Sequence, residues 1–145
     1  MKVTSSNAEC QKLLDRPTRD LAETEGETIA RVAAQVGCSA SFLAAIRIAE
    51  NGGAGREFGV LSQSAPSYES QARVAALSIV NNTYRYVTTN SGKWPTDSKG
   101  GFLQDFIKFM QRRWAPVGAV NDPNGLNNNW YENVCKAYST MKVEG

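Results

Sequence analysis

Apolar side chains recur along this chain at helical spacing, and the intervals between the runs are filled with Asn, Gly and Pro. Ile29, Val32, Ala33 and Val36 stand at i, i+3, i+4 and i+7, and Phe42, Ala45, Ile46 and Ala49 repeat the pattern. Ala72, Ala75, Ala76 and Ile79 share one face of a third run. Phe102, Phe106, Phe109 and Met110 mark a fourth, strongly amphipathic one that ends near Trp114-Ala115-Pro116. A period near 3.6 cannot line one face of a strand, so these stripes must be buried against one another as helices. The expectation is a mainly α protein: one domain over residues 1–145, with five to seven helices and at most one short β element.

The punctuation between the runs sets the boundaries. Residues 7–15 read as a short helix that stops before Pro17, and residues 1–22 as an N-terminal helical extension packed on the rest. Thr24 and Glu27 form a capping-box signature, and Gly37 stops the helix they start. Ser39 or Ser41 caps the next helix, which ends at Glu50-Asn51-Gly52-Gly53, where Asn and Gly supply left-handed conformations. Residues 54–62 read as a glycine-rich loop or a brief strand. A long helix runs from about Tyr68 towards Tyr84 and Tyr86, residues 90–95 and 117–129 read as loops, and a last helix carries Trp130, Val134, Ala137 and Met141.

Composition narrows the chemistry. The chain has no histidine, which excludes Ser-His-Asp and Cys-His catalysis, His-ligated zinc and any imidazole proton shuttle. Proton chemistry, if there is any, belongs to carboxylates. The net charge of +2 is too small for a dedicated nucleic-acid binder. Residues 58–145 hold nine basic and six acidic side chains, an excess that suits an anionic polymer such as cell wall and equally a solvated surface. Cys10, Cys38 and Cys135 contain no CxxC pair and cannot supply a four-cysteine metal site. Three buried thiols are expected; a Cys10–Cys38 bridge has no support in the spacing. No metal or cofactor is called for. The first residues lack the apolar core of a signal peptide, and no window reaches the ~18 apolar residues of a membrane span. The expectation is a chain made in the cytoplasm, without membrane insertion.

Glu50 stands out on physical grounds. It closes an apolar helix at the end where the macrodipole places partial negative charge, and burial beneath Phe42, Ile46 and Phe58 would add to the cost of ionising it. A carboxylic acid held protonated on a rigid helix end, facing a glycine-rich loop, suits a general acid for a glycosidic oxygen. The same position also fits an exposed Glu that merely ends a helix.

The run Ile46-Arg47-Ile48-Ala49-Glu50-Asn51-Gly52-Gly53, followed by Glu57-Phe58-Gly59-Val60-Leu61-Ser62, resembles the catalytic core of the lysozyme-like superfamily. That superfamily includes goose-type lysozymes, soluble lytic transglycosylases and related glucosaminidases. There a helix ends in the catalytic Glu, and a Gly-containing segment such as Gly-Leu-Met-Gln lines the sugar cleft. The resemblance spans about residues 40–140 and is nearest to small phage and prophage wall-degrading proteins, whose late region is similar to Phe106, Trp114, Pro116, Pro123 and Leu126-Asn127. It implies a lysozyme-like domain with Glu50 as catalytic acid and Glu57, Phe58, Gly59 and Ser62 in the substrate cleft. Ser62 stands where the family has Gln, and Asn51 where it has Ser.

The superfamily divides by what attacks the anomeric carbon. Hydrolases use a second carboxylate, whereas the transglycosylases use one Glu and the muramic acid's own 6-hydroxyl. Second-acid candidates are Glu57, Asp97 and Glu69, none of which stands out. Glu57 can equally pair with Arg56, Arg47 or Lys93, and Asp97 fits an N-cap. Tyr84 and Tyr86 are candidates for substrate contact, with one of them expected in the core. Trp94 is placed to stack on a sugar, whereas Trp114 and Trp130 fit core packing. Lys108, Arg112 and Arg113 form a basic helix face, solvated or drawn to wall polymer.

The resemblance therefore implies a peptidoglycan glycosidase, a lytic transglycosylase or muramidase, acting on glycan strands in the periplasm or from a virion. Its partners would be the wall, other virion proteins, or a holin-type pore that delivers it. The alternatives are an N-acetylglucosaminidase cutting the other linkage, and a non-catalytic virion or wall-binding protein of the same shape.

Overall fold

Six helices and one two-stranded sheet make up the structure, a computed structural model describing residues 1–18, 22–52, 56–60, 67–92, 94–95, 102–114 and 128–145. The first helix, α1 (Ala8–Leu14), starts where the Asn7 side chain accepts the Cys10 N–H at 3.1 Å. Helix α2 (Glu25–Val36) opens with the expected capping box: Thr24 Oγ1 accepts from the Glu27 N–H, and Glu27 Oε1 accepts from the Thr24 N–H. It ends at Gly37 in the left-handed conformation. Ser39, not Ser41, caps α3 (Ala40–Glu50), accepting the Phe42 N–H at 3.2 Å. Then come α4 (Tyr68–Thr89), capped by Ser67, α5 (Phe102–Trp114) and α6 (Asn128–Tyr138).

Helix α3 lies at the centre. Six successive residues, Phe42, Leu43, Ala44, Ala45, Ile46 and Arg47, are all buried, so the helix is covered on every side rather than along one stripe. It packs along α6 and touches α2, α4 and both strands, while α2 packs along α4 and α5 bridges α4 and α6. Ala44 and Ala45 present no bulk and are completely buried, which suits close approach by neighbouring helices. Phe42 meets Phe106 and Tyr138 at ring-centroid distances of 5.7 and 6.1 Å, joining the start of α3 to α5 and the end of α6.

The protein is mainly α with one short sheet, as expected, but the sheet lies where the sequence reading did not place it. It is formed by the two ends of the chain: β1 (Lys2–Ser5) pairs antiparallel with β2 (Met141–Glu144), with Val3 opposite Val143. Met141 therefore belongs to a strand, not to the last helix, and the described part of the glycine-rich segment, residues 56–60, is a turn. Strand pairing needs a partner that local spacing does not name. Residues 1–18 accordingly give a strand as well as a helix, and both enter the core through Val3 and Leu14. Asn128 and Asn129 start α6 instead of closing a loop. The three cysteines are free and half-buried, with no Cys10–Cys38 bridge.

Candidate functional site

Glu50 is the last residue of α3, and Asn51 beyond it takes the left-handed conformation (φ 45°) that turns the chain out of the helix. The chain then folds back on itself. The Gly52 backbone comes so close to Arg56 that an added Cβ would stand 1.7 Å from the Arg56 carbonyl oxygen. The Gly59 N–H donates to that same carbonyl at 3.0 Å, and Gly59 adopts φ +75°. A Cβ on Gly59 would lie 2.5 Å from Glu50 Oε1 and 2.6 Å from its Cδ. The Glu50 carboxyl thus rests on bare backbone that only glycine exposes.

The other oxygen is held from the opposite direction in sequence. The Trp130 indole N–H, on α6, donates to Glu50 Oε2 at 2.9 Å. An indole N–H can only donate, so Oε2 accepts from Trp130, while Oε1 faces the Gly59 backbone. Trp130 is 5% exposed and Glu50 is half-buried. A carboxyl fixed at the rim of the fold is a group suited to exchanging a proton with a bound oxygen.

A buried polar network fastens the turn that carries Gly59. One helical turn before Glu50, the completely buried Arg47 donates from Nε to Glu25 Oε1 at 2.8 Å, and from Nη1 to the Gly52 and Glu57 carbonyls at 3.4 Å. The Tyr68 hydroxyl also donates to Glu25 Oε1 at 2.8 Å, and Arg16 Nε reaches Glu25 Oε2 at 3.3 Å. Burial, then the Glu25 charge, pushes the Tyr68 phenol well above its ordinary range, so it stays a neutral donor. From α4, Gln71 Oε1 accepts the Phe58 N–H at 3.3 Å and Gln71 Nε2 donates to the Val60 carbonyl at 3.0 Å. A turn without ladder partners must satisfy its buried backbone groups some other way, and these two side chains do it.

The sequence candidates separate sharply. Glu50 and Gly59 come together as expected. Glu57 is buried, and Phe58 is completely enclosed with its ring 5.3 Å from that of Tyr68, so neither forms an exposed cleft wall. Tyr86 is a core residue, 3% exposed and edge-on to Phe106 and Phe109 at 5.5 Å, because its helix face points at α5. Phe42 packs at the far end of α3 and does not cover Glu50. Tyr84 and Trp94 do meet each other, rings 6.2 Å apart, but beside Ser39 and Phe42 at the opposite end of α3. Glu69 is tied to Arg31 and Arg73. Lys108 lies over the Tyr131 ring at 5.0 Å. Ser62, Lys93 and Asp97 lie outside the described residues, as do the side chains of Arg113 and Trp114.

Trp130 packs in the core as the sequence suggests, but its contact with Glu50 was not foreseen. Its indole nitrogen had no visible partner in the sequence, since Glu50 lies 80 positions away. Arg47 did carry a signal: a charged residue between Ile46 and Ile48 in a helix apolar on all sides needs a buried partner. Among the described residues no group of three or more His, Cys, Asp or Glu is placed to hold a metal ion, and no helix is long and apolar enough to cross a membrane. Comparison with models of known families, with curated proteins and with solved structures gives no match, so the site is interpreted from its own geometry.

Proposed function

We propose that the chain is a peptidoglycan glycosidase that cleaves between N-acetylmuramic acid and N-acetylglucosamine, with Glu50 as its general acid. The observation that supports it is the seating of the Glu50 carboxyl between the Trp130 indole N–H and the bare backbone of Gly59. A lysozyme-like arrangement, expected from the residues around Glu50, needs this pairing of a helix-end carboxyl with a glycine on the following turn.

In this reading Glu50 protonates the glycosidic oxygen as its bond to the anomeric carbon breaks. The single-acid route is supported by two of the three second-acid candidates, Asp97 lying outside the described residues. Glu69 is engaged by two arginines, and Glu57 is buried within the turn. The muramic 6-hydroxyl attacks its own anomeric carbon, the Glu50 carboxylate takes up the hydroxyl proton, and an anhydro sugar leaves. Glu50 is thereby returned to its acid form without a second carboxylate.

The test is lysis of purified wall by Glu50→Gln, which keeps the hydrogen-bonding shape and removes the acid. The expected loss is about 10²- to 10⁴-fold. Retained lysis would remove Glu50 from the mechanism. Mass spectrometry of the released fragments then identifies the chemistry: anhydro-muramic ends are expected, whereas reducing muramic or glucosamine ends would assign a muramidase or a glucosaminidase.

A further inference from the structure

At the Ser39 end of α3, about 16 Å from Glu50 along an 11-residue helix, a cavity of about 360 Å³ opens to the surface. Its floor is apolar, made by Phe42, Ile79, Val80 and Phe106, and its rim carries Tyr84 and Trp94. These two rings are 61% and 56% exposed, more than any other aromatic side chains among the described residues. They stand edge to face with an interplanar angle of 67°, so each fixes the other's tilt while ring surface stays open to solvent.

The polar groups of the cavity are neutral. Ser39 Oγ accepts the Phe42 N–H and keeps its own hydrogen to donate. Thr83 Oγ1 donates to the Ile79 carbonyl at 2.7 Å and keeps lone pairs to accept. Burial pushes the Cys38 thiol up to about 11, so this wall too is uncharged at neutral pH. Among the described residues no Asp, Glu, Lys or Arg lines the cavity. An apolar floor, an aromatic rim and neutral hydroxyls do not suit a wholly apolar ligand. They fit a neutral ring with an apolar face for the aromatic rim, hydroxyls for Ser39 and Thr83, and a small methyl-bearing group for the floor.

We infer that this cavity is a second glycan-holding site, which takes one N-acetylhexosamine unit of a wall strand away from the point of cleavage. The choice of sugar rests on the glycosidase reading above; the need for a neutral, amphipathic ring rests on the cavity alone. A strand held here is anchored while another part of it lies at Glu50, so the site favours long polymer over short fragments.

The experiment is a calorimetric titration with the trimer of N-acetylglucosamine, using Glu50→Gln protein to prevent turnover. It is repeated after adding Trp94→Ala or Tyr84→Ala, with circular dichroism to establish that each variant is folded. Each ring removal is expected to weaken one binding component about tenfold, the size of one aromatic contact. Identical isotherms with and without the two rings would overturn the inference, even if Glu50→Gln abolishes lysis. Retained lysis by Glu50→Gln would instead remove the glycosidase reading, while the ring-dependent part of the titration still decides whether the cavity holds the sugar.

Discussion

The two ends of α3 are built from opposite chemistry. Around Ser39 the surroundings are rings, methyl groups and hydroxyls, and a serine cap satisfies the helix terminus. Around Glu50 the helix runs into a turn without ladder partners, and Arg47, Glu25, Tyr68 and Gln71 are buried to hold it. The contrast shows what each end is able to do. An apolar, uncharged hollow discriminates by shape and surface. A carboxyl on a fixed turn is, in the proposed function, the proton donor, and fixing that turn requires polar groups deep in the fold, where each one left without its partner is costly.

That contrast breaks most visibly at Arg47. Arg47→Met leaves Glu25 buried without its main partner and strips the Gly52 and Glu57 carbonyls of a donor. A loss of about 3–5 kcal/mol is expected in urea unfolding. Tyr84→Ala, at the exposed rim of the other end, should stay within about 0.5 kcal/mol. Equal effects at both positions would mean that the network does not hold the fold.

Gly59→Ala tests the seat of the carboxyl. It forces a side chain into a positive-φ position, at a cost of about 1–2 kcal/mol, and drives Cβ into Glu50. Lysis should fall further than stability does, because the carboxyl must move; a variant with full activity would show that the contact does not matter. Trp130→Phe keeps the packing and removes the donor to Oε2. We expect kcat to drop about tenfold, equivalent to about one hydrogen bond, with KM nearly constant. A change in KM alone would assign Trp130 to substrate binding instead.

The apolar end also reads out in pH. Burial raises the Cys38 thiol from 9.0 to about 11, so its contribution to stability is complete below pH 9 and is lost as pH rises towards 11. Denaturation measured between pH 8 and 11 should therefore lose part of its slope in Cys38→Ala. An unchanged slope would mean that the Cys38 wall of the cavity is open to water.

Much of the helical framework could be read from local order. The Thr24–Glu27 box and the left-handed Asn51 turn are decided by neighbours within four positions and occur where the spacing places them, while the Ser39 cap is one of the two that the spacing allows. The pairing of the chain ends could not be read in this way, because Val3 and Val143 each offer half of a partnership. The candidate site divides along the same line. Glu50 at a helix end and Gly59 on the following turn were visible as a pattern, but Tyr86 and Phe58 looked like cleft residues only because local order does not say which side of a helix or turn the rest of the chain covers.

By itself the sequence determined the helices, their caps, the restriction of acid–base chemistry to carboxylates and the position of one carboxyl at a helix end. These follow from backbone hydrogen bonding and side-chain type within a few residues. Only the tertiary structure decided that Trp130 grips Glu50, that Arg47 and Gln71 hold the Gly59 turn, and that Tyr84 and Trp94 face a separate hollow. Hydrogen-bond partners and burial are properties of segments brought together from distant parts of the chain.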